Sequence, residues 1–268
     1  MKIVHFSDPH AGGPAEDWMA YLDKRWVGVF NYRFRRQFVF NIKRLQQAVE
    51  YILDTKPDVA VCTGDLTSTG QPGEFAKVIP VLKPLRDSKI SVIYVPGNHD
   101  YYVKRPKCVK AMKEMVVWFS QGRYGFDDLP MSLDFGECEF VLINTSAPSN
   151  LLCSWGFVKK DTTNYLLEHC KKDKNKPRIL ISHYPMYEDH PILRTRHRLF
   201  GQKEILKMLK DGRLDLSLCG HVHKPYKIID EKGRGENCSG SVTRNGAFSE
   251  IEYDKKSDIF SFKEIFLD

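Results

Sequence analysis

No apolar run in the chain approaches the roughly 18 residues that a membrane-spanning helix requires, so a helical integral membrane protein is not expected. C-x-x-C pairs are missing, and the seven cysteines (Cys62, Cys108, Cys138, Cys153, Cys170, Cys219, Cys238) are odd in number and scattered. That argues against a disulfide framework and for a reducing compartment, with Cys62 and Cys219 as small core residues inside apolar runs. A charged leader with a long apolar stretch is also lacking, since the sequence opens directly into strand-like Lys2–Phe6; no secretory signal is expected. These absences together predict a cytoplasmic protein, free in solution or peripheral at the inner membrane surface. Repeats, low-complexity tracts and linker-like segments are missing too, which predicts one domain over residues 1–268.

What is present is an ordinary globular composition, 42% hydrophobic and 28% charged over 268 residues, enough to bury a sizeable core. Net charge is 41 minus 34, or +7. It favours anionic partners such as phosphates, nucleic acid or an acidic membrane surface, without choosing among them.

The stretch with most information is 92–100. Val92, Ile93, Tyr94 and Val95 have the composition of a buried strand; Pro96 and Gly97 break it, and Asn98, His99 and Asp100 follow at once. A strand that ends abruptly in amide, imidazole and carboxylate delivers polar groups to the rim of a sheet, where open α/β folds bind ligands. Four further runs behave alike. Residues 2–6 end in Asp8 and His10, 58–62 in Asp65, 178–181 in His183, and 214–219 in His221 and His223. Each is unremarkable alone, because an isolated D-x-H is as easily a loop carboxylate beside a solvated histidine. Five together are not the ordinary turn residues that end a buried sheet. His5, inside an apolar run, reads as a hydrogen-bonded core histidine rather than a ligand.

Apolar spacing predicts helices over 40–53, 74–85, 104–119, 159–170 and 202–209. It predicts strands over 90–95, 131–135 and 139–144, and a closing meander over 226–229, 241–243, 248–253 and 259–266. Residues 12–41 are the least regular part, rich in aromatics and cations (Trp18, Tyr21, Arg25, Trp26, Phe34, Arg36). Such a mixture either docks at a membrane interface, grips a phosphorylated amphiphile as a lid around 14–40, or packs its aromatics inward and leaves its arginines solvated.

Imidazoles with carboxylates and an amide suit manganese, iron or zinc better than calcium or magnesium, which favour all-oxygen shells. Asp8, His10, Asp65, Asn98, His183, His221 and His223 exceed the needs of one ion. One carboxylate bridging two ions would use them all.

The ordered pattern D-x-H, G-D, G-N-H-D, a lone His and G-H-x-H resembles that of the calcineurin-like metallophosphoesterases from Asp8 to His223. The resemblance implies an α/β fold, a four-layer α/β/β/α sandwich of two mixed sheets flanked by helices. It implies two divalent metal ions, Mn2+ first with Fe2+ or Zn2+ as alternatives. Asp8, His10 and His223 would hold one ion and Asn98, His183 and His221 the other, with Asp65 bridging. It implies further that His99 is the acid facing the leaving group and that Asp100 orients its ring. The expected activity is phosphodiester or pyrophosphate hydrolysis, driven by a hydroxide bridging the two ions.

Departures narrow the substrate. Gly64-Asp65-Leu66-Thr67-Ser68-Thr69-Gly70 lacks the arginine of the protein phosphatase subgroup and looks closer to the bacterial phosphodiesterase branch, with its cyclic-nucleotide phosphodiesterases. The chain also resembles the pyrophosphatase that cleaves UDP-2,3-diacylglucosamine, although that group often has Arg where His99 stands. Arg194, Arg196, His197 and Arg198 are candidates for binding a second phosphate, or belong to a solvated loop. The expected partner is a small phosphodiester or pyrophosphate, a nucleotide or nucleotide-linked lipid. Nucleic acid is not expected, because little chain follows His223 to form a capping region, and no obligate protein partner is evident. The reading from another class, a non-catalytic metal-binding scaffold, predicts lost ligands, and none is lost.

Overall fold

The structure is a computed structural model and describes residues 1–148, 153–187 and 197–268. β1 (Lys2–Phe6), β2 (Val59–Cys62) and β3 (Ser91–Tyr94) run parallel side by side. Almost every residue in them is buried, as the continuous apolar runs of strands covered on both faces require. The long antiparallel pair β12 (Ala247–Asp254) and β13 (Ile259–Phe266) extends this sheet beyond β1, giving the order β13-β12-β1-β2-β3.

Between β1 and β2 lie α1 (Arg25–Asn31), a π-helical turn (Tyr32–Arg36), α2 (Gln37–Val39) and α3 (Ile42–Thr55). In α3, Leu45, Ala48, Val49 and Ile52 recur at helical spacing and all are buried. Asn41 starts it by accepting the Lys43 N–H. α4 (Pro72–Arg86) and α5 (Pro106–Phe119) flank the same sheet and begin with proline, whose missing N–H costs nothing in a first turn.

A second mixed sheet has the order β10-β11-β9-β7-β5-β4, built from β4 (Met131–Asp134), β5 (Glu139–Leu142), β7 (Arg178–Ile181), β9 (Leu216–Cys219), β10 (Tyr226–Ile229) and β11 (Gly235–Cys238). The pleat sorts its side chains. Phe140, Leu142, Ile179 and Ile181 join Phe6, Val61 and Ile93 in the core between the sheets. Val141, Ile143 and Leu180 face the other way, onto Leu166 of α6 (Lys160–His169) and Ile205 and Met208 of α7 (Lys203–Lys210). The layers are therefore helix, sheet, sheet, helix, as expected. β6 (Gly156–Phe157) and β8 (Leu199–Phe200) form a small parallel pair.

Two expectations need correcting. Residues 241–243 do not form a strand: Ser241 accepts the Arg244 N–H and caps the short helix α8 (Val242–Asn245). The closing strands are not one meander either, because β10 and β11 pair in the second sheet while β12 and β13 pair in the first. β11, with the sequence Gly-Glu-Asn-Cys, has no apolar alternation to announce it.

Candidate metal centre

β1, β2 and β3 are parallel, so their C-terminal ends lie along one edge, and β7 and β9 end likewise in the second sheet. All five polar strand ends meet there. The His221 N–H donates to Asp8 Oδ2 at 3.0 Å, and the His183 Nδ1–H to the Thr63 carbonyl at 2.7 Å, each joining one sheet to the other.

Two groups of potential ligands form, each with its atoms within 4.8 Å of one another: Asp8, His10, Asp65 and His223, and Asp65, His183 and His221. Asp65 belongs to both. Its Oδ2 lies 3.5 Å from His10 Nε2 and 3.4 Å from His183 Nε2. Asp8 Oδ1 lies 3.4 Å from His10 Nε2 and 3.3 Å from His223 Nε2. Asn98 completes the second group, its Oδ1 3.0 Å from His183 Nε2.

The donor set fits divalent metals on three observations. Asp8 Oδ1 and Asp65 Oδ2 are buried acceptors with no hydrogen-bond donor, an expensive arrangement unless a cation satisfies them. The ring nitrogens are also sorted. His10 and His183 each give Nδ1–H to a backbone carbonyl, of Thr67 and Thr63, which turns the Nε2 lone pairs inward. Finally, of the eight non-glycine residues with positive φ among the described residues, five are candidate ligands: Asp8, His10, Asp65, His221 and His223. Left-handed backbone is costly for such residues and persists where the site demands it.

Glycines permit the close approach. A side chain at Gly97 would strike Asp65, and one at Gly220 would strike Ser7 and Asp8.

The electrostatics follow the same plan. Burial alone would raise the Asp8 carboxyl, but His10 and His223 outweigh it and hold it well below the usual range. Asp65 is held down likewise, against burial, chiefly by His183. Burial would lower His183, yet Asp65 and then Asp8 keep it up at about 9. Burial depresses His10 to about 4 and takes His221 well below its ordinary value.

His99 stands at the rim of the first group, its ring 4.8 Å from that of His10. Its Nδ1–H donates to the Ser68 carbonyl at 2.6 Å, and its ring stacks on Tyr102. The expected contact with Asp100 is not made. Asp100 accepts instead from Thr67 N–H and Oγ–H, Tyr94 O–H and Gly97 N–H. It ties the two ligand loops together, and Ser68 orients the His99 ring.

Three further residues lie near the centre, of which the sequence offered Arg36 and His197 only as members of basic segments and did not single out Arg244. His197 Nδ1 lies 3.0 Å from His221 Nε2. The Arg36 guanidinium lies 3.3 Å from His99 Nε2. Arg244 shares a cleft with Arg36 and His223. Arg194 and Arg196 lie outside the described residues. Arg198 is exposed and holds its guanidinium 4.6 Å over the Phe200 ring. His5 is a core histidine, bonded to Thr63 and Asn237.

Within the irregular segment Arg25 is buried rather than solvated and bonds Asp23 at 2.9 Å and Asp17 at 3.3 Å, and these carboxylates tie the segment to Arg105 and Lys107. Its aromatics face outward: Trp18 is 69% and Phe38 77% exposed. Among the described residues no helix is long and apolar enough to cross a membrane.

The sequence model of the family described as calcineurin-like phosphoesterase matches residues 1–225. A 3',5'-cyclic-nucleotide phosphodiesterase of Nostoc sp. is 25% identical over 191 residues, 71% of this chain and 63% of that protein. The chain thus matches less than two thirds of that relative's length. Among solved structures, a dimetal phosphatase from Danio rerio is 14% identical with a TM-score of 0.56, over 94% of this chain and 92% of that one. A purple acid phosphatase from yellow lupin is 13% identical with a TM-score of 0.59, over 99% of this chain and 53% of that one. At such identities the likeness is one of fold.

Proposed function

This chain belongs to the calcineurin-like phosphoesterases, and on that premise we propose that it is a two-metal hydrolase of phosphodiesters or pyrophosphates. The carrying observation is Asp65, shared by both ligand groups and holding a buried oxygen without a donor. Asp8, His10 and His223 would hold one ion, Asn98, His183 and His221 the other, with Asp65 between them. Carboxylate, imidazole and amide donors favour Mn2+, then Fe2+ or Zn2+. Such a pair supplies Lewis-acid stabilisation of the phosphoryl oxygens and an activated water.

The protein's own part is positioning and proton supply. His99 is the candidate acid for the leaving oxygen, with the Ser68 carbonyl fixing its ring through Nδ1 and the Arg36 guanidinium beside its Nε2. Asp100 is a positioning residue, holding the 65–70 loop against 97–100 through four accepted hydrogen bonds. His10, His183 and His221 are oriented by Thr67, Thr63 and His197.

We read residues 14–40 as a lid on one domain. Outward-facing Trp18, Tyr21, Phe30, Phe34 and Phe38, with Arg33 and Arg35 exposed among them, support peripheral contact with an anionic lipid surface. Cys62, Cys108, Cys138, Cys170, Cys219 and Cys238, buried and in no disulfide, support a cytoplasmic location.

The test compares bis-p-nitrophenyl phosphate with p-nitrophenyl phosphate, with manganese and with chelator. Manganese-dependent cleavage of the diester, abolished by chelator, is expected. Preference for the monoester would redirect the assignment to a phosphatase. Absence of hydrolysis with two metals bound would favour the scaffold reading.

A further inference from the structure

A cleft of about 180 Å³ opens beside His223, between the π-helical turn and α8. Arg35, Arg36 and Arg244 line it with Asn31 and Phe40, and no carboxylate does. This is space for a tetrahedral anion with its hydration shell.

Arg36 is the telling member. Arg36 is half-buried, and burial lowers its pKa while the more distant Asp65, Glu74 and Asp8 oppose the shift. Yet among the described residues it has no carboxylate within ion-pair distance. Its polar neighbours are the ring nitrogens of His99 at 3.3 and 3.4 Å, and it lies 5.7 Å over the Phe40 ring. A half-buried cation whose nearest polar partners are imidazole nitrogens rather than carboxylates is left able to take up an anion. Arg35 and Arg244 are exposed at the same cleft and likewise have no ion-pair partner among the described residues. The π-helical turn that carries Arg35 and Arg36 is a rare conformation that recurs at functional sites.

We propose that Arg36, Arg35 and Arg244 form an anion subsite that takes a second phosphate of the substrate, next to the phosphoryl group at the metal centre. The inference rests on the hydrolase reading above and narrows it. Guanidinium groups bind phosphate oxygens in pairs and specifically. The preferred substrate then carries two neighbouring phosphates, as a pyrophosphate-linked compound does. A cyclic mononucleotide, with one phosphate, would leave the cleft unfilled.

The test is calorimetric titration of the full-length, manganese-loaded protein with methylenediphosphonate and with methylphosphonate. Wild type is expected to favour the bisphosphonate at least about tenfold. Two metal ions alone also favour a bisphosphonate, so the arginine variants decide. Arg36→Ala and Arg244→Ala are each expected to cut that preference by about tenfold, the worth of one charge-assisted contact, and Arg36→Lys to keep part of it. Arg244 is exposed, so its variant reads the subsite even where Arg36→Ala folds poorly.

A preference unchanged in both alanine variants, or absent in wild type, overturns the subsite. Hydrolysis of bis-p-nitrophenyl phosphate by the same samples separates the two claims. Diester cleavage with an arginine-independent preference leaves the hydrolase reading intact and removes the subsite. An arginine-dependent preference without cleavage keeps the subsite and removes the hydrolase reading.

Discussion

The backbone N–H of His99 donates to Asp65 Oδ1 at 2.7 Å, which leaves Oδ2 turned toward His10 and His183. One carboxylate thus joins the third strand end to the first and to the second sheet, and it can serve two cations only because its other oxygen is already held. Replacing Asp65 with Ala should lower metal affinity by more than the roughly 10–100-fold that loss of an outer hydrogen-bond partner costs. Metal content after dialysis measures this. Retention of both ions would contradict the bridging role.

His99→Ala should separate chemistry from metal binding. Turnover of a diester is expected to fall by about 10²–10⁴, the range for losing a general acid, while metal content stays at the wild-type value. An activated aryl ester should suffer less than an alkyl one, because its leaving group needs no proton. Equal losses on both would remove His99 from that role.

Asp100 should act on stability. Its carboxylate is buried and accepts four hydrogen bonds from two loops and from Tyr94. Asp100→Ala strands several buried donors, at about 1–3 kcal/mol each where no water replaces the carboxylate. Denaturant unfolding should show a loss of about 2–5 kcal/mol. A change below about 0.5 kcal/mol would show that the loops are held otherwise.

Glu74 gives a pH dependence outside the metal site. Burial pushes its carboxyl up to about 7, against hydrogen bonds from Thr69 and Gln71, and Glu16 adds to the rise. Lys77 bonds the Gly12 carbonyl rather than Glu74. The folded state therefore holds this proton more tightly than the unfolded chain, so stability falls as pH rises from about 4.5 to about 7. The contribution is of the order of 3 kcal/mol. Glu74→Gln should remove that part of the slope in unfolding free energy measured across the window. An unchanged slope would contradict the assignment.

The outward aromatics of residues 14–40 should respond to lipid. Emission from Trp18 and Trp26 is expected to shift to the blue with vesicles containing anionic lipid, and less with zwitterionic ones, since Arg33 and Arg35 lie among the exposed rings. No shift with either would restrict these aromatics to contact with substrate or protein.

How far the sequence carries this account varies along the chain. Strand ends such as 92–100 were legible because an apolar run stops abruptly in ligand-type residues, and that local pattern needs no tertiary knowledge. The seven candidate ligands meet at one edge of the sheets for this reason. The family resemblance implies that Asp100 orients the His99 ring, whereas the Ser68 carbonyl makes that contact, a placement that no local sequence pattern announces. Arg36, His197 and Arg244 come from three separate segments, 63 and 24 residues from the histidines that the first two meet. Nothing in their local sequence announces that. The strand β11 hid for a related reason, being an apolar-poor segment recruited by its neighbours β9 and β10.

The most direct test of the central claim is a titration of metal-stripped protein with manganese, following hydrolysis of bis-p-nitrophenyl phosphate. The two ligand groups that share Asp65 predict activity that rises to a plateau at two ions per chain. A plateau at one ion, or hydrolysis indifferent to manganese and chelator alike, would contradict it.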